Sequence, residues 1–179
     1  MSDKNESSLY RDQKKAKPKI EEVYSECLEG DTKKAALSFV AYLRENKMAP
    51  GWASANSWKC SYKGKGVCYI RTNGNSWSVT LYGDNSKEYN EFVINGNYQD
   101  VVWNSRALKK CRRCRVHVCA PNENEETFTG FRMTFFGKEF ENVCRGNGDT
   151  AYFDPDERII SYIKGAIDVR RLRIENNKI

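Results

Sequence analysis

The residues with the clearest chemical potential are four cysteines. Cys111 and Cys114 have two residues between them, Cys119 has four residues between itself and Cys114, and Cys144 follows after 24 more. Two thiolates at the first of these spacings can bind one ion from a tight turn, at the Zn–S distance of about 2.3 Å that zinc prefers. Four sulfurs around one ion leave no coordination position for water. The sequence therefore predicts a closed, structural zinc site and not a catalytic one.

The same thiols are compatible with roles that need no zinc. The chain has seven cysteines, an odd number, and in a reducing compartment thiols persist, so plain burial competes with metal binding. An iron–sulfur cluster is disfavoured because the spacing matches neither common ferredoxin pattern. A redox pair of Cys111 and Cys114 is disfavoured because the motif does not open a helix after a strand. His117, the only histidine, is a neighbour of the site or a replacement for one cysteine.

A basic stretch overlaps the cysteines and has two interpretations. Residues 106–115 contain six basic residues and no acidic residue. The basic residues are Arg106, Lys109, Lys110, Arg112, Arg113 and Arg115. Four thiolates around a divalent cation carry a formal charge of about minus two, so guanidinium groups nearby would stabilise the bound state. The alternative is that Arg112, Arg113 and Arg115 bind the phosphates of a nucleic acid. The first interpretation is preferred because no recognition helix is evident and the net charge is only +6.

Aromatic residues supply a second candidate site. Trp52, Trp58, Trp77 and Tyr69 fall on or beside one predicted small sheet, whose concave face could bind a planar small molecule or a protein partner. The competing interpretation places Trp58 and Trp77 in the core. Trp52 follows Pro50-Gly51 and is predicted to lie in a loop.

Composition and motifs exclude several classes of protein. With 30% charged residues and no apolar run approaching 18 residues, the sequence offers no membrane-spanning helix. The polar first twenty residues contain no secretory signal, so a cytoplasmic location is expected. The sequence also lacks a metalloprotease HExxH motif, a nucleophile elbow and a phosphate-binding glycine loop, which disfavours enzymatic activity.

The elements that position these residues follow from hydrophobic periodicity. Residues 1–20 are predicted to form a basic, disordered tail, and residues 21–179 a single domain. Helices are predicted over residues 20–28, 32–47, 87–94 and 98–108, and from Asp154 onward. The helix over residues 32–47 would be capped by Asp31 or Thr32. Asp154, Pro155 and Glu157 resemble a capping box for the last helix, whose buried face would hold Ile159, Ile160, Ile163 and Ile167.

Strands are predicted where the hydrophobic period changes to two. Residues 57–62, 67–72 and 76–81 read as a three-stranded antiparallel meander with turns at Gly64 and Gly74, and residues 127–136 as a later strand. A sheet that is apolar on one face needs a cover, which the amphipathic helices supply. The predicted fold is α+β, with a small antiparallel sheet covered by several helices and a four-cysteine zinc knuckle.

Several segments of the chain resemble a family of short, uncharacterised bacterial proteins. The resemblance covers about residues 33–165 and includes the segments Tyr62–Ile70 and Gly137–Cys144, the Trp52/Trp58 pair and the cysteine cluster. It implies that Cys111, Cys114, Cys119 and Cys144 act together, and it implies no particular activity.

The sequence thus favours a non-enzymatic, zinc-stabilised binding module that presents an aromatic-lined face to a small molecule or a protein. The alternative is a zinc-stabilised nucleic-acid-binding protein that uses the basic tail and the Arg-rich knuckle.

Overall fold

The computed structural model describes residues 13–107, 131–143 and 150–177. Its helices are α1 (Ile20–Cys27), α2 (Gly30–Glu45), α3 (Lys87–Asn95), α4 (Gln99–Ala107) and α5 (Glu157–Glu175). Its strands are β1 (Pro50–Ser54), β2 (Ser57–Tyr62), β3 (Lys65–Asn73), β4 (Ser76–Leu81), β5 (Phe131–Phe135), β6 (Lys138–Val143) and β7 (Thr150–Phe153). The predicted α+β class with an antiparallel sheet is confirmed.

The chain divides into two compact units. Unit 1 comprises Met1–Tyr82 with Ala151–Ile179, and unit 2 comprises Gly83–Thr150. The prediction of one domain over residues 21–179 stays a prediction.

A five-stranded sheet, in the order β1-β2-β3-β4-β7, forms the framework of unit 1. The pairs β2–β3 and β3–β4 are antiparallel, which confirms the predicted meander. Lys63 and Gly64 have φ values of 46° and 79°, as a two-residue type I′ hairpin turn requires. Two edge strands, β1 and β7, were not predicted. β1 contains Trp52, so the prediction that this residue lies in a loop is wrong.

The inner face of this sheet, defined as the face that carries Trp58, Ile70 and Trp77, forms the core of unit 1 with the helices. Trp77 packs against Tyr24 of α1 and Phe39 of α2, at ring-centroid distances of 6.1 and 5.8 Å. The buried residues of α5 are Tyr162, Ile163, Ala166, Ile167 and Ile174. The predicted buried face of the last helix is therefore confirmed for Ile163 and Ile167, while Ile159 and Ile160 are only half-buried.

The chain is already ordered within the segment predicted as a tail. Residues 13–16 are helical, and Gln13 is buried with its side chain hydrogen-bonded to Asn56, both as donor (2.7 Å) and as acceptor (2.6 Å). The carbonyl of Pro18 accepts a 3.0 Å hydrogen bond from the indole of Trp58. Gln13 and Pro18 thus anchor this segment to the sheet region, and residues 1–12 lie outside the described part of the chain.

Helix α5 begins two residues later than the capping pattern predicts. Its N-cap is Asp156, whose carboxylate accepts a 2.8 Å hydrogen bond from the amide of Ile159. Asp154, the predicted cap, has a φ of 38° and accepts a 2.9 Å hydrogen bond from the amide of Trp77. The assignment of Asp154 as N-cap is therefore wrong, because its carboxylate binds β4 instead. Helix α2 begins after Glu29, so neither Asp31 nor Thr32 is its cap.

Replacing Asp156 with alanine is expected to lower the free energy of unfolding by about 1 kcal/mol, because the first turn of α5 loses its side-chain acceptor. Asp31→Ala is the matched control, since Asp31 lies in the first turn of α2 without capping it and its ion pair with Lys34 is exposed. Urea unfolding followed by circular dichroism should give the smaller loss for this control. Equal losses for the two variants would contradict the observed cap.

Unit 2 contains helices α3 and α4 and the hairpin β5–β6. Strand β5 confirms residues 131–135 of the predicted later strand, but it pairs with β6 in a separate two-stranded sheet. The strand that joins the meander is β7. Helix α4 packs against β6, and the indole of Trp103 donates a 2.7 Å hydrogen bond to the carbonyl of Phe135.

Candidate functional site

The predicted metal ligands lie outside the described residues. Cys111, Cys114, Cys119 and Cys144 all fall there, as do His117 and the arginines Arg112, Arg113 and Arg115. Within residues 13–107, 131–143 and 150–177, no group of three or more histidine, cysteine, aspartate or glutamate side chains could hold a metal ion. The zinc site and the Arg-rich knuckle stay predictions.

The three remaining cysteines, Cys27, Cys60 and Cys68, lie in unit 1 as free thiols. Among the described residues, none of them belongs to a group of side chains that could hold a metal ion. Cys60 and Cys68 face each other across β2 and β3, and both are fully buried. A hydrogen bond with Cys60, together with burial, raises the pKa of the Cys68 thiol well above its usual value. The sulfur of Cys27 lies 3.2 Å from the hydroxyl of Thr72. Plain burial therefore explains Cys60 and Cys68, whereas Cys27 is half-buried.

Two of the four residues predicted to bind a ligand belong to the core instead. Trp58 and Trp77 are each 1% exposed, so their rings present almost no surface to a ligand. The competing core interpretation is observed for both residues, and their part in ligand binding stays a prediction. The physical reason is that both side chains point to the inner face of the sheet, where Tyr24 of α1 and Phe39 of α2 pack on Trp77. The indole of Trp58 donates its hydrogen bond to the carbonyl of Pro18.

Trp52 is half-buried on the edge strand β1. It pairs across the strands with Trp58, and the ammonium group of Lys17 lies 5.9 Å from the centroid of its ring. Its indole nitrogen is buried and has no hydrogen-bond partner among the described residues. Trp52 therefore lies at the boundary of the core and partly covers the edge of the sheet.

Tyr69 is the one predicted ligand-binding residue that lies on the opposite side of the sheet. We call this side the outer face and define it by side chains that alternate with the inner-face residues: Ser57, Lys59, Tyr69, Arg71, Ser78, Thr80 and Tyr82. Lys59 is the direct cross-strand neighbour of Tyr69, and Arg71 lies opposite both Ser57 and Ser78. The register thus places two cations beside one half-buried aromatic ring.

Arg71 is held in place by three neighbours on this face. Its guanidinium group donates to the hydroxyls of Ser57 (3.4 Å) and Thr80 (3.2 Å) and lies 5.5 Å from the ring centroid of Tyr69. The residue is nonetheless exposed. In the described ranges no carboxylate forms an ion pair with it. Among the residues that the structure describes, Arg71 is therefore a fixed cation whose charge no acidic side chain neutralises.

The rings and guanidinium groups on this face form a continuous row. Tyr69 stacks on Tyr82, with ring centroids 5.6 Å apart and planes inclined by 24°. The guanidinium group of Arg170, from α5, lies 5.0 Å from the centroid of Tyr82 and donates a 2.7 Å hydrogen bond to the carbonyl of Gly66. We call the series Arg71–Tyr69–Tyr82–Arg170 the cation–aromatic row.

Gly66 is required for this packing. A Cβ atom at that position would lie 2.4 Å from Cζ of Tyr82, so any larger residue would displace the ring.

The charge of the surrounding segment has a single sign. Residues 46–83 contain five basic residues and no aspartate or glutamate, and the basic residues are Lys47, Lys59, Lys63, Lys65 and Arg71. This imbalance nearly equals the +6 of the whole chain. A surface with one sign of charge raises the local concentration of ligands of the opposite sign. Two of the five, Lys59 and Arg71, lie on the outer face, which is consequently suited to an anionic ligand.

Sequence reasoning missed Arg71 and Arg170 as site residues. The acid-free run of residues 46–83 was a usable signal, and a period of two places Tyr69 and Arg71 on the same face. Arg170 had no such signal, because 88 positions separate it from Tyr82 and only tertiary packing brings the two together.

Unit 2 contains a cavity of about 330 Å³. Its lining residues are Asp84, Asn85, Tyr89, Asn90, Ile94, Val102, Thr134, Phe135 and Phe136. Apolar walls with a few polar groups are typical of small-molecule sites, and the volume lies at the lower end of their range of about 300–1,000 Å³.

A wider groove of about 800 Å³ lies between the starts of α2 and α5 in unit 1. Several of its charged residues already take part in local interactions. Asp156 caps α5, Asp154 accepts from Trp77, and Asp31 pairs with Lys34 at 3.0 Å. The groove therefore offers a ligand less unused charge than the outer face does.

None of the helices in the described ranges combines the length and apolar character needed to cross a membrane. No protein-family model, no curated protein and no solved structure matches this chain. The resemblance to short bacterial proteins stays a prediction, and the evidence for function lies in the geometry and charge of the outer face.

Proposed function

We propose that this protein is a non-enzymatic binding module that binds nucleic acid on the outer face of its main sheet. One structural zinc ion, held by Cys111, Cys114, Cys119 and Cys144, would stabilise it. The basic stretch that includes Arg112, Arg113 and Arg115 would extend the positive surface or balance the charge of the thiolates.

The observation that carries this proposal is that Arg71 is exposed and held by hydroxyl groups, with no ion pair among the described residues. An exposed arginine on a protein surface commonly finds a carboxylate, and Arg132 of β5 does so, 2.8 Å from Glu141. Arg71 instead binds two neutral hydroxyls, which fix its orientation and leave its charge intact. Fixed guanidinium groups bind phosphate oxygens well because little side-chain entropy is lost on binding.

The aromatic residues beside Arg71 favour nucleic acid among anionic partners. A nucleic acid offers phosphates for the cations and planar bases for aromatic and guanidinium surfaces, whereas an acidic peptide need not contain a planar group beside each carboxylate. The cation–aromatic row supplies both kinds of contact on one face.

A small-molecule binding module is the second candidate, and the cavity of about 330 Å³ in unit 2 favours it. A ligand of that cavity would raise the thermal stability of the protein at any salt concentration, because its binding would not depend on phosphate contacts.

Replacing Arg71 with glutamine tests the nucleic-acid proposal. We expect the variant to bind a labelled RNA hairpin with an unpaired tail about tenfold more weakly than the original chain. The slope of log affinity against log salt should also fall by about one, because the bound phosphates lose one neighbouring positive charge. Fluorescence anisotropy between about 50 and 200 mM salt gives both quantities.

Arg132→Gln is the matched control, because it removes an exposed strand arginine whose charge Glu141 already neutralises. It should leave affinity and slope unchanged. Binding that is absent at every salt concentration, or that weakens equally in the two variants, would refute the proposal.

A further inference from the structure

We infer that the outer face selects single-stranded nucleic acid, and that an unpaired base stacks on the guanidinium group of Arg71 while Lys59 binds an adjacent phosphate. This inference rests on the proposed function and specifies the form of nucleic acid that the site takes.

The position of Arg71 within the sheet is unsuited to the major groove of B-DNA, and in an RNA duplex the bases stay paired and stacked, so they offer no free face to Arg71. Tyr69 and Arg71 lie on β3, which is the central strand of five. Strands are spaced by about 4.8 Å, so the sheet is about 19 Å wide and its central strand lies about 10 Å from either edge. The major groove of B-DNA is about 12 Å wide and admits a helix or a two-stranded ribbon. A face of this width cannot bring its central residues to base edges inside a groove.

A single strand removes that obstacle because its bases are not enclosed. Unpaired bases can lie flat on a sheet and stack on aromatic rings or on the planes of arginine side chains. One face of the Tyr69 ring is already occupied by Tyr82, and Arg71 lies over the ring at 5.5 Å. The exposed group available to a base at this end of the row is therefore the guanidinium of Arg71, with Tyr69 behind it.

The row also fixes the guanidinium group against movement. Two hydroxyls bind Arg71 through its Nε and Nη1 atoms, and no residue in the described ranges uses Nη2, which leaves it for the ligand. At the far end of the row, the backbone of Gly66 and the side chain of Arg170 hold Tyr82. Stacking on a group that is already ordered costs little further entropy, so the whole row contributes to the affinity for a base.

The charge beside the row suits the phosphate of the same nucleotide. Lys59 is directly opposite Tyr69 on β2, on the same face, and is half-buried. In the described part of the chain no ion pair involves Lys59. A nucleotide that stacks on Arg71 would therefore place its backbone within a region of positive potential.

The test compares one mixed-sequence RNA as a single strand and as a blunt duplex, by fluorescence anisotropy at several salt concentrations between about 50 and 200 mM. The original chain should bind the single strand about tenfold more tightly than the duplex, the equivalent of one stacked base. Arg71→Lys keeps the positive charge but removes the planar group, so it should lose this preference while its salt dependence stays unchanged. Arg132→Lys should keep the preference.

A second variant tests the row without altering any charge. Gly66→Ala should displace the ring of Tyr82 and reduce the preference for the single strand, with affinity for the duplex unchanged. Equal affinity of the original chain for the two forms would overturn this inference and leave the proposed function intact. Binding to neither form would overturn both.

Discussion

Replacing Trp77 with alanine is expected to lower the free energy of unfolding by about 3–5 kcal/mol. The indole is 1% exposed and packs against the rings of Tyr24 and Phe39, so its removal leaves a cavity between the sheet and two helices. Domains are stable by only about 5–15 kcal/mol, and the loss is therefore a large fraction of the total. In a chain of this length the melting temperature should fall by about 10 °C.

Trp52→Ala is the control, because Trp52 is a half-buried residue of the edge strand β1. It should lose about half as much stability or less. Urea unfolding measured by circular dichroism is suited to both variants, since a change of midpoint without a change of slope reports stability alone. This comparison also decides between the two interpretations of the tryptophans. If Trp77 belonged to a ligand-binding face, its removal would leave stability almost unchanged.

The sequence could predict those helices and strands whose hydrophobic pattern is compatible with only one type of secondary structure. The alternation in residues 57–81, with turn signals at Gly64 and Gly74, predicts β2, β3 and β4 almost to the residue. The periodicity of Ala36, Phe39, Val40 and Leu43 predicts α2, and all four are buried. Local patterns were sufficient in both cases because burial of one face follows directly from the period.

The edge strands could not be predicted in this way. β1 begins with Pro50-Gly51, which read as a helix stop followed by a loop, yet an edge strand tolerates proline because the missing amide faces no partner. β7 has only four residues and is followed by Asp154, whose carboxylate was read as a helix cap. Its true partner is the amide of Trp77, 77 residues away, and a local pattern contains no information on such a contact.

The candidate site also combines a residue that the sequence could indicate with neighbours that only the strand pairing reveals. Tyr69 was selected from the sequence because aromatic residues were counted, but its neighbours on the outer face depend on register. A shift by one residue would have placed Tyr69 in the core and Ile70 at the surface. The pairs across β3 and β4, including Tyr69 with Thr80 and Arg71 with Ser78, fix the register and thereby the chemistry of the face.

The largest effect is expected from loss of the proposed zinc ion. The purified protein should contain one zinc per chain by elemental analysis, and Cys114→Ser should contain almost none, because three thiolates leave the tetrahedral site incomplete. Binding of structural zinc contributes about 10 kcal/mol or more in small metal-binding modules, so the variant and the chelated protein should both unfold at much lower temperature. Proton release on zinc addition to reduced, metal-free protein would report deprotonation of the cysteine thiols.

Cys27→Ser is the matched control for the zinc experiment. Cys27 is a half-buried thiol whose sulfur contacts Thr72, so its replacement should leave the zinc content at one per chain. Cys60 and Cys68 should resist alkylation in the native protein, because both are buried and the pKa of Cys68 is raised. A protein that contains no zinc and forms a reversible Cys111–Cys114 disulfide would instead support the redox interpretation. In that case the four cysteines would not act together, while the outer face and its predicted preference for single strands would be unaffected, since neither depends on the metal.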